Sequence, residues 1–188
     1  MKTKLKLVIF ASIVFITASS IAQQKKINVA ESTIEWTGKK ITGQHTGTLN
    51  FSSGFLTFTN KELTGGEFAV DMTSIQVTDL EAGKGKEKLE GHLSSDDFFG
   101  VNNYATAKLV IKKATKIANG YKIAGDLTIK GKTNPITFDL AVKGSSASTT
   151  LSIDRTKYDI KYGSGSFFDN LGDKAINDEF ELAVNLKM

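Results

Sequence analysis

Phe180-Glu181-Leu182-Ala183-Val184-Asn185-Leu186-Lys187 is the stretch on which the fold turns. Phe180, Leu182, Val184 and Leu186 share one parity, while Glu181, Asn185 and Lys187 take the other. Successive side chains of a strand point to opposite faces, so the segment predicts a strand with one apolar and one wet face. The same period of two recurs upstream. Ile34 and Trp36 alternate with Glu35 and Thr37, and Phe68, Val70 and Met72 with Ala69, Asp71 and Thr73. Ala107, Leu109 and Ile111 oppose Lys108 and Lys112, and Leu127 and Ile129 oppose Asp126, Thr128 and Lys130. Ile136, Phe138, Leu140 and Val142 interleave with Thr137, Asp139 and Lys143; Leu151 and Ile153 interleave with Thr150, Ser152 and Asp154. This is the pattern of antiparallel strands packed on one side and solvated on the other.

Turn residues punctuate these runs: Gly38, Gly43, Gly47, Ser53-Gly54, Asn60, Gly65-Gly66, Asn119-Gly120, Gly131 and Gly144. Asn119-Gly120 between two alternating runs predicts a type I′ hairpin. Strands spaced this closely indicate an up-and-down meander, not βαβ units. Two stretches break the rhythm. A charged run from Glu81 to Glu90 leads into Leu89, Leu93, Phe98 and Phe99 and predicts a short helical segment near residues 87–100. Residues 163–177, rich in Gly, Asp and Asn, read as a long loop. About eight one-sided strands favour closure, because a closed barrel leaves no exposed edge. The expected fold is all-β, an eight-stranded antiparallel barrel of one domain over residues 23–188. A barrel with its apolar face turned to lipid is disfavoured: polar faces carry charges, and 1 Trp with 4 Tyr cannot build two aromatic girdles.

Composition narrows the chemistry. The 188 residues include no Cys and 2 His, which removes disulfides, thiolate metal sites and Cys nucleophiles and leaves little for a His-built metal centre. At the N-terminus, Lys2, Lys4 and Lys6 precede an apolar run from Leu5 to Ala18, with Ser20 and Ala22 at the −3 and −1 positions of a cleavage site. This predicts a signal peptide over residues 1–22, cut before Gln23, and export to the periplasm, with secretion beyond it left open. The run is too short and wrongly flanked for a membrane span, and no cysteine follows it to carry a lipoprotein anchor. Removing it leaves 21 basic against 20 acidic residues in the mature chain. With one Arg (Arg155) and no basic cluster, nucleic acid is not an expected partner.

No polar group builds a catalytic constellation. His45 sits in a Gly-rich turn and His92 precedes an apolar turn. Asp96-Asp97 would point apart on a strand, and Asp96 reads as a helix N-cap. No Ser lies in a nucleophile elbow. Asp169-Asn170-Leu171-Gly172-Asp173 supplies calcium-like oxygens without the closing Glu, and Gly163-Ser164-Gly165-Ser166 lacks the helix and Lys-Ser/Thr of a phosphate loop. No metal or cofactor is expected, and no enzymatic activity.

Several blocks together carry a resemblance. Gly91-His92-Leu93-Ser94-Ser95-Asp96-Asp97-Phe98-Phe99 resembles the H-L-x-S-x-D-F-F block of the YceI-like polyisoprenoid-binding family. Tyr104-Ala105-Thr106-Ala107 follows at that family's spacing. Gly125-Asp126-Leu127-Thr128-Ile129-Lys130-Gly131-Lys132-Thr133-Asn134-Pro135-Ile136 is similar to its G-x-L-T-x-x-G-x-T-x-P-V hairpin. Ile153-Asp154-Arg155-Thr156-Lys157-Tyr158 and Asn177-Asp178-Glu179-Phe180 resemble its later blocks, in family order over nearly the whole mature chain. Ala105 stands in place of the usual Pro, and Asp159 where Gly is common.

The resemblance implies a lipocalin-like barrel whose tunnel holds an isoprenoid or fatty-acyl lipid, quinone-like in character, in a periplasmic protein. Trp36, Phe68, Met72, Leu109, Ile129, Phe138 and Phe180 are the candidate wall, with His92 and Phe98 added near the helical segment. Two alternatives stand beside a carrier: a lipid-modifying enzyme using the same barrel, and a filled, ligand-free envelope interaction module. A homodimer is compatible with either.

Overall fold

The computed structural model describes residues 22–188, so the signal peptide expected over 1–22 lies, apart from Ala22, outside the described residues. The elements are β1 (Ala22–Lys26), β2 (Thr33–Lys40), β3 (Gly43–Thr59), β4 (Glu62–Val77), α1 (Lys86–Ser94), β5 (Thr106–Ile117), β6 (Gly120–Ile129), β7 (Lys132–Lys143), β8 (Ser146–Asp154) and β9 (Ile176–Lys187). Strands β2 to β9 form a ring in the order β3-β2-β9-β8-β7-β6-β5-β4, closed by β3–β4, with antiparallel pairing throughout. This is the eight-stranded antiparallel barrel expected from the alternation. β1 is a ninth strand outside the ring: it covers β3 from Phe55 to Thr59, beyond Leu49 where β2 stops pairing. The helix falls in the expected segment, and residues 95–103 continue as turns.

The parity read from β9 holds. Phe180 lies opposite Ile153, Leu182 opposite Leu151 and Trp36, and Val184 opposite Ile34, all facing inward. Glu181 faces out, its carboxylate 2.6 Å from Lys39 Nζ.

The turn readings need correction. Gly38 lies inside β2, Gly47 and Ser53-Gly54 inside the 17-residue β3, and Gly65-Gly66 inside β4, not in turns. A Cβ on Gly47 would sit 1.8 Å from Gln76 O and 2.4 Å from the Trp36 ring, and one on Gly54 would sit 2.5 Å from Phe68. These glycines serve close approach within the sheet, a use that looks like a turn in the sequence. Likewise Asn119-Gly120 is not a type I′ centre. Ile117 pairs with Gly120, so the turn residues are Ala118 and Asn119, and neither has positive φ. The turns with positive φ at both central residues are Asn60-Lys61 (51° and 68°) and Lys130-Gly131 (49° and 70°). Asp96 also departs from expectation. It follows α1 instead of capping it, accepts from Asn103 Nδ2, and the α1 N-cap is Gly85.

Apolar packing is concentrated at the two ends of the barrel. At one end Trp36, Ile75, Val77, Leu93, Phe98, Phe99 and Val101 pack beneath α1 and the turns after it. At the other, Ile34, Phe51, Leu56, Phe68, Ile123, Leu140, Ala147 and Leu186 form a second plug. Each fully buried side chain of this size contributes about 1.5–3 kcal/mol.

Candidate functional site

Between the plugs, the inward side chains of the middle layers pack against one end cluster or the other and leave space between them. Leu109, Leu127, Ile136, Phe138, Leu151, Phe180, Leu182 and Val184 are only half-buried although they face the interior. They line a void of about 930 Å³, its open part included. Lys108 and Thr149 are the only polar residues in that lining, and Lys108 carries its ammonium to Glu67, 2.8 Å away on the outer face. Ligand cavities are mostly apolar, as this lining is.

A second void, about 500 Å³ with its open part included, lies toward α1, lined by Trp36, Leu93, Phe98, Arg155, Ile176 and Glu179 among others. Leu49, Phe99, Phe180 and Leu182 belong to both linings, so they form the partition between the two spaces.

Of the expected wall residues, Phe68, Met72, Leu109, Ile129, Phe138 and Phe180 line the larger void, and Trp36 and Phe98 the smaller. His92 lines neither. Its ring packs edge-on against Tyr162 (4.4 Å between centroids) and Phe98 (5.6 Å), and its Nε2 is buried without a partner. It packs at the α1 end of the barrel. Leu49 and Phe51, on β3, were missed, because a strand rich in Gly, Ser, Thr and Asn hides its alternation.

The charge at this end is already committed. Arg155 is 2% exposed. It donates through Nε to Asn177 O (3.0 Å), through Nη1 to Ile160 O (2.9 Å) and Tyr162 O (2.8 Å), and through Nη2 to Ile176 O (3.0 Å). Asp178 Oδ1 stands 3.5 Å from Nη2. Burial lowers the guanidinium pKa, opposed by Asp178 and Asp154. Arg155 therefore staples the turn after β8 to the start of β9, with few donors left for a ligand. Burial also raises Asp178, yet the Ser164 and Ser166 hydroxyls and Arg155 outweigh it and hold that carboxyl below its ordinary range. His45, expected in an exposed turn, lies in β3 with Nδ1 2.8 Å from Asp79 Oδ2.

Among the described residues, no three His, Asp or Glu side chains converge as metal ligands. No helix among them is long and apolar enough to cross a membrane. What the cavity offers is apolar surface, worth about 0.8 kcal/mol for each methylene buried against it from water.

Comparison with known proteins agrees with this architecture. The sequence profile of the YceI-like domain matches residues 26–188. A UPF0312 protein of Staphylococcus aureus strain USA300 is 37% identical over 87 residues, which cover 40% of this chain and 48% of that protein. The chain thus spans about half the length of the curated relatives it matches. BcnA of Burkholderia cenocepacia superposes with a TM-score of 0.67 at 21% identity, covering 85% of this chain and 98% of that one. A polyisoprenoid binding domain from Saccharophagus degradans, implicated in plant cell wall breakdown, gives 0.57 at 14% identity, covering 86% and 95%.

Proposed function

This chain belongs to the YceI-like family, and we propose that it is a binding protein that carries one long apolar lipid, isoprenoid or fatty-acyl, inside its barrel. The observation that carries this reading is the unfilled middle of the barrel. Packed interiors leave few voids larger than a water molecule. Here the side chains of the middle layers leave an apolar space of about 930 Å³, its open part included, while the ends are packed. An empty space of that kind forfeits contacts that a hydrocarbon chain restores. The polyisoprenoid binding domain of similar fold supports the same ligand class.

Binding without chemistry fits the polar inventory. The polar groups that line the voids have structural partners: Arg155 and Thr149 donate to backbone carbonyls, Lys108 pairs with Glu67, and Glu179 accepts from Ser152. The basic and apolar segment at residues 2–18 supports export, and with it a periplasmic location for the carrier.

Titration with cis-parinaric acid, whose polyene fluoresces when it leaves water, tests the reading. A saturable rise at one probe per barrel is expected. Absence of saturable binding would favour the filled interaction module, and turnover of the bound lipid would favour the enzyme.

A further inference from the structure

The wall of the barrel has one long break. β7 and β8 contain 12 and 9 residues, yet they pair only at Ala141–Ser148, Val142–Ala147 and Lys143–Ser146, beside their hairpin. The neighbouring β6–β7 ladder runs from Tyr121–Leu140 to Ile129–Lys132 without interruption, and β8–β9 pairs from Ser146 to Asp154. Each strand therefore keeps its outer neighbour and lets go of the other.

The sequence supplies a cause. Lys132 and Ile129 flank a two-residue turn, as do Lys143 and Ser146, so both pairs are the hydrogen-bonded kind. Counting along β7, its odd-numbered residues direct their backbone groups to β8. Asp139 agrees, its carbonyl accepting from Thr149 Oγ1 at 2.7 Å. Pro135, the chain's single proline, falls on the same parity. It removes a donor where a ladder to β8 would need one, which is tolerated only at an open edge. The opening is bounded at one end by the Thr149–Asp139 bond and at the other by Asn134 Nδ2 donating to Lys157 O at 2.9 Å. Between those bonds lies about 17 Å of strand.

We propose that the β7–β8 seam is the lateral portal through which an apolar chain passes between solvent or a lipid surface and the cavity. Both barrel ends are plugged by packed side chains, and the inner lips of the seam, Ile136, Phe138, Leu151 and Ile153, are cavity wall. Paired strands stand about 4.8 Å apart, too close to pass a hydrocarbon chain. A chain threads the wall only where the ladder is absent. Widening this seam breaks two side-chain bonds, whereas any other seam requires breaking a ladder.

The proposal rests on the lipid-binding reading, and one experiment separates their failures. Continuing the hairpin register places Thr137 opposite Ser152, both exposed on the outer face, so neither touches the cavity. The chain has no native cysteine, so Thr137→Cys/Ser152→Cys can be bridged selectively with bis-maleimidoethane. Thr128→Cys/Thr133→Cys, across the paired β6–β7 seam, is the control. Stopped-flow fluorescence with cis-parinaric acid reads association and dissociation. Bridging 137 to 152 is expected to slow both rates tenfold or more with little change in affinity, while bridging 128 to 133 leaves both unchanged. Equal rates with and without the 137–152 bridge, in a protein that binds the probe, would overturn the portal alone. Failure of the unbridged proteins and the wild type to bind the probe would overturn the binding reading and the portal with it.

Discussion

The rings of Phe99 and Phe180 meet edge to face, 6.3 Å between centroids and 86° between planes, and together they help divide the barrel interior into its two voids. Phe99 comes from the turns after α1 and Phe180 from the first half of β9, so the partition joins the cap to the wall. Phe99→Ala is expected to merge the voids and cost about 3 kcal/mol, the lower end for such a truncation because one side already faces space. Thermal unfolding measures the loss. The merged cavity should also retain longer chains, read by native mass spectrometry with fatty acids of graded length. An unchanged length preference would mean the partition does not limit the ligand.

Leu109 faces the same space from β5, beside Phe68 of β4 and Leu127 of β6. In a filled core Leu109→Phe would cost about 1–3 kcal/mol through overpacking. Here the added ring occupies vacant volume, so the melting temperature should hold while affinity for cis-parinaric acid falls. A lowered melting temperature with unchanged affinity would contradict the cavity.

These positions were legible in the sequence because strand parity holds between bulges. Once Phe180 and Leu182 are placed inside, Ile153, Leu151 and Trp36 opposite them are placed too, whereas the bulges of the β3–β4 pairing flip the inward side within a strand. What was not legible lies where alternation is masked or where distance matters. β3 hides Leu49 and Phe51 among small polar residues. Its Gly47 looks like a turn because a close approach between strands leaves no mark in one strand's own sequence. That the centre is hollow is invisible too, since a filled and an empty barrel show the same alternation. Pro135 did carry a local signal for the open seam, but its meaning depends on which neighbour its backbone faces.

Gly47→Ala tests the close approach directly. With Gln76 O 1.8 Å from the new Cβ, β3 and β4 must separate. A loss of about 2–3 kcal/mol by urea unfolding is expected, at the upper end for overpacking. A change within about 0.5 kcal/mol, the scale of a surface substitution, would mean that the strands do not approach as described.

Asp178 gives a pH signature. Its carboxyl is held below the ordinary value of 3.8, so its contribution is fully present above that value and is lost as pH falls through the lower folded one. Asp178→Asn should cost about 1–2 kcal/mol at pH 7, from weakened contacts to Ser166 and Arg155. The variant should also lose less stability than the wild type on acidification below pH 3.8. Parallel wild-type and variant curves across that window would show that Asp178 does not sense its partners.

The most direct measurement is mass spectrometry of an organic extract from protein purified without detergent from the organism that makes it. The hollow apolar barrel predicts one lipid with a long isoprenoid or acyl chain per barrel, depleted in extracts of the Leu109→Phe variant. A protein that yields no lipid, and shows no saturable binding of an added chain, would contradict the claim that this interior is built to hold one.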